Sequence, residues 1–474
     1  MVKYIFSGLI FLTGLFSLFA NEYDTLCIFL FIIVVLQFVD KLGKGIVLRE
    51  ITALLYVFTC LIMPLVGYNY YSISNRLSKI WIMYMRIDAQ RYFEFAFPAI
   101  CFFTLALTFP ISNKSKSDEG ASLQAIISRC SEILSHKKNT GLIIIGTGLF
   151  VSLFLQYLPN ELFFFGTLFF FGTFAGLLYV YYTPNMKYKR IMIVLFCLAI
   201  INNALNTGMF TIIAYMGIII FSFFYYGNKT SLLKKVFIVF IGILFMLVLQ
   251  TTKKTYRQFT WGRDYTENKA VLFIELFTDN LQKGSDLIEM DALFPIYTRT
   301  NQGLNVSMVM KRIPAVQDFD EGDRLTTVIL SSLVPRFLWP DKPQAGGKFN
   351  MLYYAGFRIR GYSTNVGPLG EAYGSFGIFG GVIYMILLGL FIRWAYIRVF
   401  AISQKIPLLI CWLPVLFFQV IYSNENDTLQ ILNSLFKSAF FIVILYKFVP
   451  FLFKIVESRR KTGSETLSAK QAII

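Results

Sequence analysis

Arginines are concentrated in one polar stretch of this 474-residue chain, between Gln250 and Phe376. The stretch holds eight of them, from Arg257 to Arg360, and one late carboxylate, Glu371. A guanidinium keeps its charge at every physiological pH and matches phosphate oxygens with two parallel hydrogen bonds. Arginines beside a membrane therefore suit a lipid-linked diphosphate, and a nearby carboxylate could accept a proton from a hydroxyl group.

Five basic residues of the stretch are the candidates for contact with such a diphosphate. They are Arg257, Arg336, Lys342, Arg358 and Arg360. Glu371 is the candidate catalytic residue, together with Arg336 as the cation that would stabilise charge on a leaving group. A structural role is equally open for Glu371, because the helix dipole stabilises a carboxylate near a helix N-terminus.

An acidic cluster, QDFDEGDR, occupies residues 317–324 of the same stretch. Asp318 and Asp320 have the spacing of the metal-binding Asp-x-Asp pair of sugar-nucleotide transferases, and Asp323 could add a third oxygen ligand. Ile329 stands where a calcium-binding EF-hand loop requires a glutamate. A solvated acidic turn before a helix is the alternative that we favour, and we expect neither a metal nor a cofactor.

Membrane helices are the elements that must position these residues. Of the chain, 56% is hydrophobic and only 15% is charged, whereas soluble domains carry roughly 25% charged residues. A soluble core could not bury this much apolar surface, but a bilayer requires it. The composition predicts an all-α polytopic membrane protein with about 12 transmembrane helices.

Apolar runs long enough to span roughly 30 Å of hydrocarbon lie near residues 4–20, 25–39, 51–67, 93–111, 141–158, 161–182, 191–206, 208–226, 235–250, 374–396, 406–422 and 430–450. The predicted organisation is nine helices in residues 1–250, one large extracytoplasmic loop in 251–373, three helices in 374–453 and a cytoplasmic tail in 454–474. Apolar spacing predicts amphipathic helices within the loop near 269–282 and 324–334. The loop has too little apolar content for an independent domain, so we expect it to pack back onto the helices.

The distribution of charge predicts the orientation. Every second connection between the apolar runs is basic, whereas NEYD (21–24) and NENDT (424–428) fall in the other connections. Basic connections remain in the cytoplasm, so both termini are expected there and the large loop outside. One outer connection, residues 68–92, is an exception that carries Arg76, Lys79, Arg86 and Arg91. We interpret it as a functional basic patch on the same face as the large loop. Because the net charge of +17 lies in such short connections, we expect the bilayer as a partner and no nucleic acid.

A resemblance to a known family is carried by residues 324–380. It consists of VPRFLWPDKP (334–343), a polar stretch with Ser363 and Thr364, and GEAYGSFGIFGG (370–381) at the start of a predicted membrane helix. Arg336 and Gly347 also have an Arg-x10-Gly spacing. This stretch resembles the Wzy-type oligosaccharide repeat-unit polymerases, which include O-antigen and capsule polymerases.

The resemblance implies an enzyme of the bacterial cytoplasmic membrane. Such an enzyme polymerises undecaprenyl-diphosphate-linked repeat units into a surface polysaccharide at the outer face of that membrane. It implies metal-independent glycosyl transfer from a lipid-diphosphate donor, with arginines on the outer face. A polysaccharide chain-length regulator is implied as a partner.

Two other functions remain alternatives at this stage. A lipid-linked oligosaccharide flippase would suit twelve helices, but transporters usually have two related halves, and the sequence contains no evident repeat. The second alternative is an O-antigen ligase-like glycosyltransferase, and enzymes of that kind need a histidine at the outer face of the membrane. The single histidine of the chain, His136, falls in a connection predicted to be cytoplasmic.

Overall fold

The computed structural model describes residues 2–19, 22–111, 119–208, 210–261, 268–284, 289–334, 338–344, 346–360 and 363–454. The helices of the first half are α1 (Val2–Phe16), α2 (Tyr23–Lys41), α3 (Leu48–Val57), α4 (Met63–Asn69), α5 (Arg76–Trp81), α6 (Ala89–Thr108), α7 (Glu119–Ser135), α8 (Thr140–Leu153), α9 (Asn160–Tyr182), α10 (Lys189–Thr207) and α11 (Thr211–Tyr225). A π-helical turn, Phe58–Ile62, joins α3 to α4.

The helices of the second half are α12 (Leu232–Trp261), α13 (Lys269–Gln282), α14 (Met290–Thr300), α15 (Gly303–Arg312), α16 (Asp323–Leu333), α17 (Gly347–Ala355), α18 (Gly367–Ser403), α19 (Leu413–Ile421) and α20 (Thr428–Phe448). Short 3-10 turns occupy Leu155–Tyr157, Pro407–Trp412, Ser423–Glu425 and Pro450–Leu452. The described part of the chain is thus all-helical, as the composition predicts.

Nine helical segments in the described residues are long and apolar enough to cross a membrane. They are Tyr23–Lys41, Leu48–Asn69, Ala89–Thr108, Leu162–Tyr182, Lys189–Asn206, Leu232–Thr260, Gly367–Ser403, Pro407–Glu425 and Thr428–Phe448. Three shorter apolar helices, Tyr4–Phe16, Thr140–Leu153 and Ala214–Tyr225, lie at the other three predicted runs. The prediction of a helical membrane protein is confirmed at this level, while the number of twelve spans stays a prediction.

The packing of α6 against α18 forms a large part of the hydrophobic core. On this interface the rings of Phe95 and Tyr373 lie 5.1 Å apart. On the other side of α6, the ring of Phe103 lies 4.4 Å from that of Tyr56 in α3. All four side chains are buried, so the aromatic residues of these three helices form a continuous core.

The polar stretch of the chain packs back onto this core, as its composition predicts. Val309 and Met310 of α15 are completely buried in it. The backbone nitrogen of Gln302 donates to the carbonyl of Thr59 in the π-helical turn at 3.1 Å. The two predicted amphipathic helices are also present, as α13 and α16.

The basic connection 68–92 contacts the same polar stretch. The backbone nitrogen of Arg86 donates to Ser307 Oγ at 3.2 Å, and the guanidinium of Arg91 donates to the carbonyl of Met310 at 3.4 Å. Both acceptors belong to α15. These contacts agree with the interpretation that the basic connection and the large loop share one face.

Two helices extend beyond the predicted boundaries of the large loop at 251 and 373. α12 continues to Trp261, and α18 begins at Gly367. Within α18 the backbone of Gly377 is not helical, with φ 67° and ψ −155°. A positive φ of this kind is readily accessible only to glycine, so Gly377 divides α18 into a short first part and a long second part.

Basic side chains bind carbonyls at the C-terminal ends of five predicted transmembrane helices. The donors and acceptors are Lys235 to Leu42 after α2, Arg49 and Arg393 to Phe109 after α6, Lys189 to Tyr181 in α9, Arg129 to Gln404 after α18, and Lys137 to Phe451 after α20. A cation is favoured there because the C-terminus of a helix carries partial negative charge. Each of these ends belongs to a helix that the charge pattern predicts to finish in the cytoplasm.

Candidate functional site

Glu371 lies in the short first part of α18 and is almost completely buried, with 1% of its surface exposed. One carboxylate oxygen, Oε1, accepts a hydrogen bond from Asn350 Nδ2 of α17 at 2.7 Å. The other, Oε2, accepts two from Thr428 of α20, one from the backbone nitrogen at 2.9 Å and one from the hydroxyl at 2.5 Å. Glu371 therefore connects α17, α18 and α20.

Asp427 is a second buried carboxylate and directly precedes Thr428. It is the N-cap of α20, where its Oδ1 accepts from the backbone nitrogen of Gln430 at 2.6 Å. Its Oδ2 accepts from the backbone nitrogen of Gly346 at 2.7 Å and from Asn365 Nδ2 at 3.2 Å. Burial raises the pKa of the Asp427 carboxyl above its ordinary value, although these hydrogen bonds oppose the shift.

Arg324 of α16 is the cation beside these two carboxylates. Its guanidinium donates to Asn350 Oδ1 at 3.0 Å and lies 4.2 Å from the centre of the Tyr353 ring. Its Nε is buried and has no hydrogen-bond partner among the described residues. Asn350 therefore bridges Arg324 and Glu371. We call Glu371, Asp427, Thr428, Asn350 and Arg324 the carboxylate cluster.

Gly347 is required where α17 begins beside this cluster. A Cβ atom at this position would lie 1.6 Å from the carbonyl oxygen of Thr364, so only glycine allows the two backbones to approach. Thr364 Oγ1 in turn accepts from Asn305 Nδ2 at 2.7 Å. The glycine of the Arg-x10-Gly motif thus has a packing role that places α17 next to Glu371.

A second group of charged residues lies at the end of α12. Arg299 of α14 pairs with Glu425, with 2.5 Å between a guanidinium nitrogen and Oε2, and the nearby Glu425 charge raises the pKa of Arg299. Tyr215 of α11 donates to Glu425 Oε1 at 3.2 Å. Lys253 and Arg257 of α12 lie within electrostatic reach of Arg299. We call Lys253, Arg257, Arg299 and Glu425 the basic cluster.

One short connection links the two clusters. Glu425 ends the 3-10 turn between α19 and α20, and Asp427 follows two residues later. The same connection is fixed to the π-helical turn, because Asn424 Nδ2 donates to Thr59 Oγ1 at 3.0 Å. The acidic NENDT sequence thus supplies one carboxylate to each cluster.

The predicted diphosphate-binding residues are divided among several places. Arg257 belongs to the basic cluster, where its Nε also donates to the carbonyl of Gly208 at 2.8 Å. The ammonium of Lys342 donates to the carbonyls of Ser331 and Val334 at 2.9 and 2.8 Å, which closes the C-terminal end of α16. Arg358 and Arg360 are exposed in the segment after α17, and Arg336 lies outside the described residues.

The acidic sequence 317–324 forms a turn before α16. Asp320 accepts from the backbone nitrogen of Gly322 at 3.0 Å and from the hydroxyl of Tyr353 at 3.4 Å. Within the described ranges, no group of three Asp, Glu, His or Cys side chains is placed to hold a metal ion. Asp320 therefore supports the turn and the aromatic ring beneath Arg324, and a reaction without metal stays a prediction.

Several residues of the two clusters were not predicted from the sequence. Arg324, Asn350, Lys253 and Arg299 were not singled out, since their partners lie far away along the chain. One signal was present: Lys253 and Arg257 are one helical turn apart at the end of an apolar run, where charges are costly and often functional.

Residues 127–455 match the model of a family described as a domain of unknown function, DUF8712. No curated protein and no solved structure matches the chain. The matched range includes every residue of both clusters.

Proposed function

The chain belongs to the DUF8712 family, and we propose that it is a membrane glycosyltransferase that polymerises undecaprenyl-diphosphate-linked repeat units. The reaction would take place at the outer face of the bacterial cytoplasmic membrane, without a metal. The product would be a surface polysaccharide such as O-antigen, capsule or exopolysaccharide. This assignment follows from the resemblance of residues 324–380 to the Wzy-type polymerases.

A structural observation supports the proposal in addition to the resemblance. Arg324, Asn350 and Glu371 all belong to the stretch that resembles those polymerases, and hydrogen bonds join them into one cluster at the start of α18. The stretch therefore holds a cation and a carboxylate at the junction of the polar segment with a candidate membrane span. In a glycosyl transfer from a lipid diphosphate, a cation can stabilise the leaving group and a carboxylate can accept the proton of the acceptor hydroxyl.

The two charges have different proposed roles. Cations would stabilise negative charge on the departing lipid diphosphate, and Arg257, Arg358, Arg360 and Arg336 remain the proposed contacts. Lys342 is the weakest member of that set, because its ammonium already binds two carbonyls. Arg324 joins the set, since Asn350 and the Tyr353 ring orient its guanidinium and its Nε has no hydrogen-bond partner among the described residues.

Glu371 is best assigned a positioning role within this mechanism. Three hydrogen bonds occupy its two oxygens, so proton acceptance would require Asn350 or Thr428 to be released first. By holding Asn350, Glu371 fixes the amide that binds Arg324. The expected base is a carboxylate, and Glu371 serves as that base only if this release occurs.

The decisive experiment uses a bacterial strain that lacks the native gene and carries variants of it. With Arg324→Gln or Glu371→Gln we expect polymer to disappear while single repeat units remain attached at the cell surface. Asp279→Asn, at an exposed position of α13, should leave the polymer unchanged. A flippase would instead lose repeat units from the outer face, and full-length polymer in both variants would refute the proposal.

A second experiment uses the purified chain and a lipid-linked repeat unit. We expect polymer to form equally well with and without a strong chelator. A positioning role for Glu371 predicts that Glu371→Gln, which retains one oxygen acceptor, loses less activity than Glu371→Ala. If both variants lose activity equally and the loss in Glu371→Gln depends on pH, Glu371 acts as the base.

A further inference from the structure

The basic cluster contains three cations and one carboxylate. Lys253 and Arg257 are separated by one turn of α12 and therefore project from the same face. Arg299 of α14 lies within electrostatic reach of both, and Glu425 pairs with Arg299 and lies within reach of Lys253. The four side chains together carry a formal charge of +2.

Lys253 is the member that points most directly to a ligand. Only 8% of its surface is exposed, and it makes no hydrogen bond or ion pair with any described residue. Two guanidinium groups are close enough to repel its charge. Glu425 lies within electrostatic reach of the Lys253 ammonium, but the two guanidinium groups outnumber it, so a further negative group would stabilise the cluster.

The ion pair between Arg299 and Glu425 is accessible to a ligand that could replace Glu425. The Arg299 side chain is 49% exposed, whereas that of Glu425 is 14% exposed. A ligand can therefore approach the guanidinium from solvent without moving a helix. On its other side, Glu425 is held by the hydroxyl of Tyr215 at 3.2 Å. Exchange thus breaks one ion pair and one hydrogen bond, and a phosphate group replaces the ion pair with a stronger one.

We propose that Lys253, Arg257 and Arg299 form a binding site for a phosphate-bearing ligand, and that Glu425 fills this site until the ligand displaces it. This inference deepens the proposed function and depends on it only for the identity of the ligand, a lipid-linked diphosphate. Lys253 and Arg299 then become residues of the diphosphate site, beside Arg257, and Glu425 is the anion that competes for it.

Displacement of Glu425 has a consequence for the carboxylate cluster. Glu425 is separated from Thr428 by two residues, and Thr428 holds Glu371 through its backbone nitrogen and hydroxyl. We expect that any backbone movement of this connection on displacement reaches the start of α20. Binding of the diphosphate would release or reorient Thr428, and so change the hydrogen bonds of Glu371 only when the ligand is present.

The test uses the purified full-length chain in detergent, with inorganic pyrophosphate as the probe and calorimetry as the measurement. Arg299→Gln should bind pyrophosphate about tenfold more weakly, because a charged hydrogen-bond donor is lost. Glu425→Gln should bind it about tenfold more tightly, because the competing anion is gone. Glu275→Gln, which removes the same charge from an exposed position of α13, should bind like the unchanged chain.

The Tyr215→Phe variant distinguishes displacement of Glu425 from a general effect of net charge, because it alters no charge. It removes one of the two groups that hold Glu425 and keeps the ring stacked on Tyr422, whose centre is 4.9 Å away. We expect about threefold tighter pyrophosphate binding. Unchanged or weaker binding in this variant would show that Glu425 does not compete for the site, and would overturn the inference.

Hydrogen–deuterium exchange tests the transmission step independently. Pyrophosphate should accelerate exchange of the Thr428 backbone amide in the unchanged chain and have little further effect in Glu425→Gln. If pyrophosphate binds but this amide keeps its protection, transmission from Glu425 to Thr428 is refuted. These measurements involve no sugar transfer, so the anion site can be upheld even if the proposed polymerase activity is not found.

Discussion

Thr428 donates two hydrogen bonds to one oxygen of Glu371, from its backbone nitrogen at 2.9 Å and from its hydroxyl at 2.5 Å. The two residues are far apart in sequence and belong to different candidate membrane spans. The pair therefore fixes the start of α20 against the start of α18. It also satisfies a buried carboxylate that would otherwise strongly oppose folding.

The Thr428 hydroxyl should be important for stability. Thr428→Val keeps the shape of the side chain but leaves Glu371 with one donor fewer, and the hydroxyl of Tyr384 also loses its partner. We expect the free energy of unfolding to fall by about 1–3 kcal/mol. Thermal melting in detergent would measure this, with Thr167→Val as the control. The Thr167 hydroxyl bonds only to its own helix, at the carbonyl of Phe163, so a loss of similar size there would contradict the prediction.

Gly347 should not tolerate a side chain. The Cβ of Gly347→Ala would lie 1.6 Å from the carbonyl oxygen of Thr364, and the backbone of α17 would have to move away. We expect a loss of about 1–3 kcal/mol and reduced polymer in cells. Gly242→Ala is the matched control, since a Cβ there meets no atom within 4 Å. It should be neutral or slightly stabilising, and equal melting temperatures for the two variants would refute the packing role of Gly347.

Asp427 should make stability depend on pH. Because burial raises its pKa in the folded chain, the folded state holds the proton more tightly than the unfolded state. The resulting stabilisation is complete below the ordinary pKa of aspartate, about 4, and is lost as pH rises through the raised value. As the pH rises from 4, the melting temperature should therefore fall less steeply for Asp427→Asn than for the unchanged chain. Glu371 and Arg324 remain in both proteins, so identical slopes would show that Asp427 titrates normally.

The orientation can be tested by labelling single cysteines in a Cys197→Ser background. Cys197 is the exposed one of the six cysteines, and the other five are buried. An impermeant thiol reagent should label Ser74→Cys and Asp291→Cys on intact cells. It should label Lys138→Cys only after the membrane is permeabilised. Labelling of Lys138→Cys on intact cells would reverse the orientation and exclude an extracytoplasmic site.

The helices were largely predictable from the sequence, because each depends on local information. Every predicted apolar run contains a helix of the structure, and α13 has the bounds predicted from apolar spacing. Boundaries next to the large loop were less accurate. Gly367 begins α18 inside a sequence rich in glycine and proline, a composition that indicates a turn. Contacts with α15, α17 and α20 overcome that local tendency.

The site was only partly predictable, because its geometry depends on distant contacts. Glu371 and Arg257 were identified by their positions at the ends of apolar runs. Their partners could not be, since Asn350 and Thr428 are ordinary polar residues until the fold places them beside a buried carboxylate. NENDT was interpreted only as evidence for orientation. Glu425 and Asp427 within it show that an acidic connection can also supply buried counter-ions.

The interruption of α18 at Gly377 separates the part of the helix that holds Glu371 from the long part that is predicted to cross the bilayer. Bilayers differ in thickness, and a long apolar helix adapts to a thinner or thicker one by changing its tilt. In an unbroken helix, such a change would swing Glu371 together with the rest. Here the interruption at Gly377 would let the second part of α18 change its tilt while the first turns stay in place, so the carboxylate cluster would keep its geometry in bilayers of different thickness.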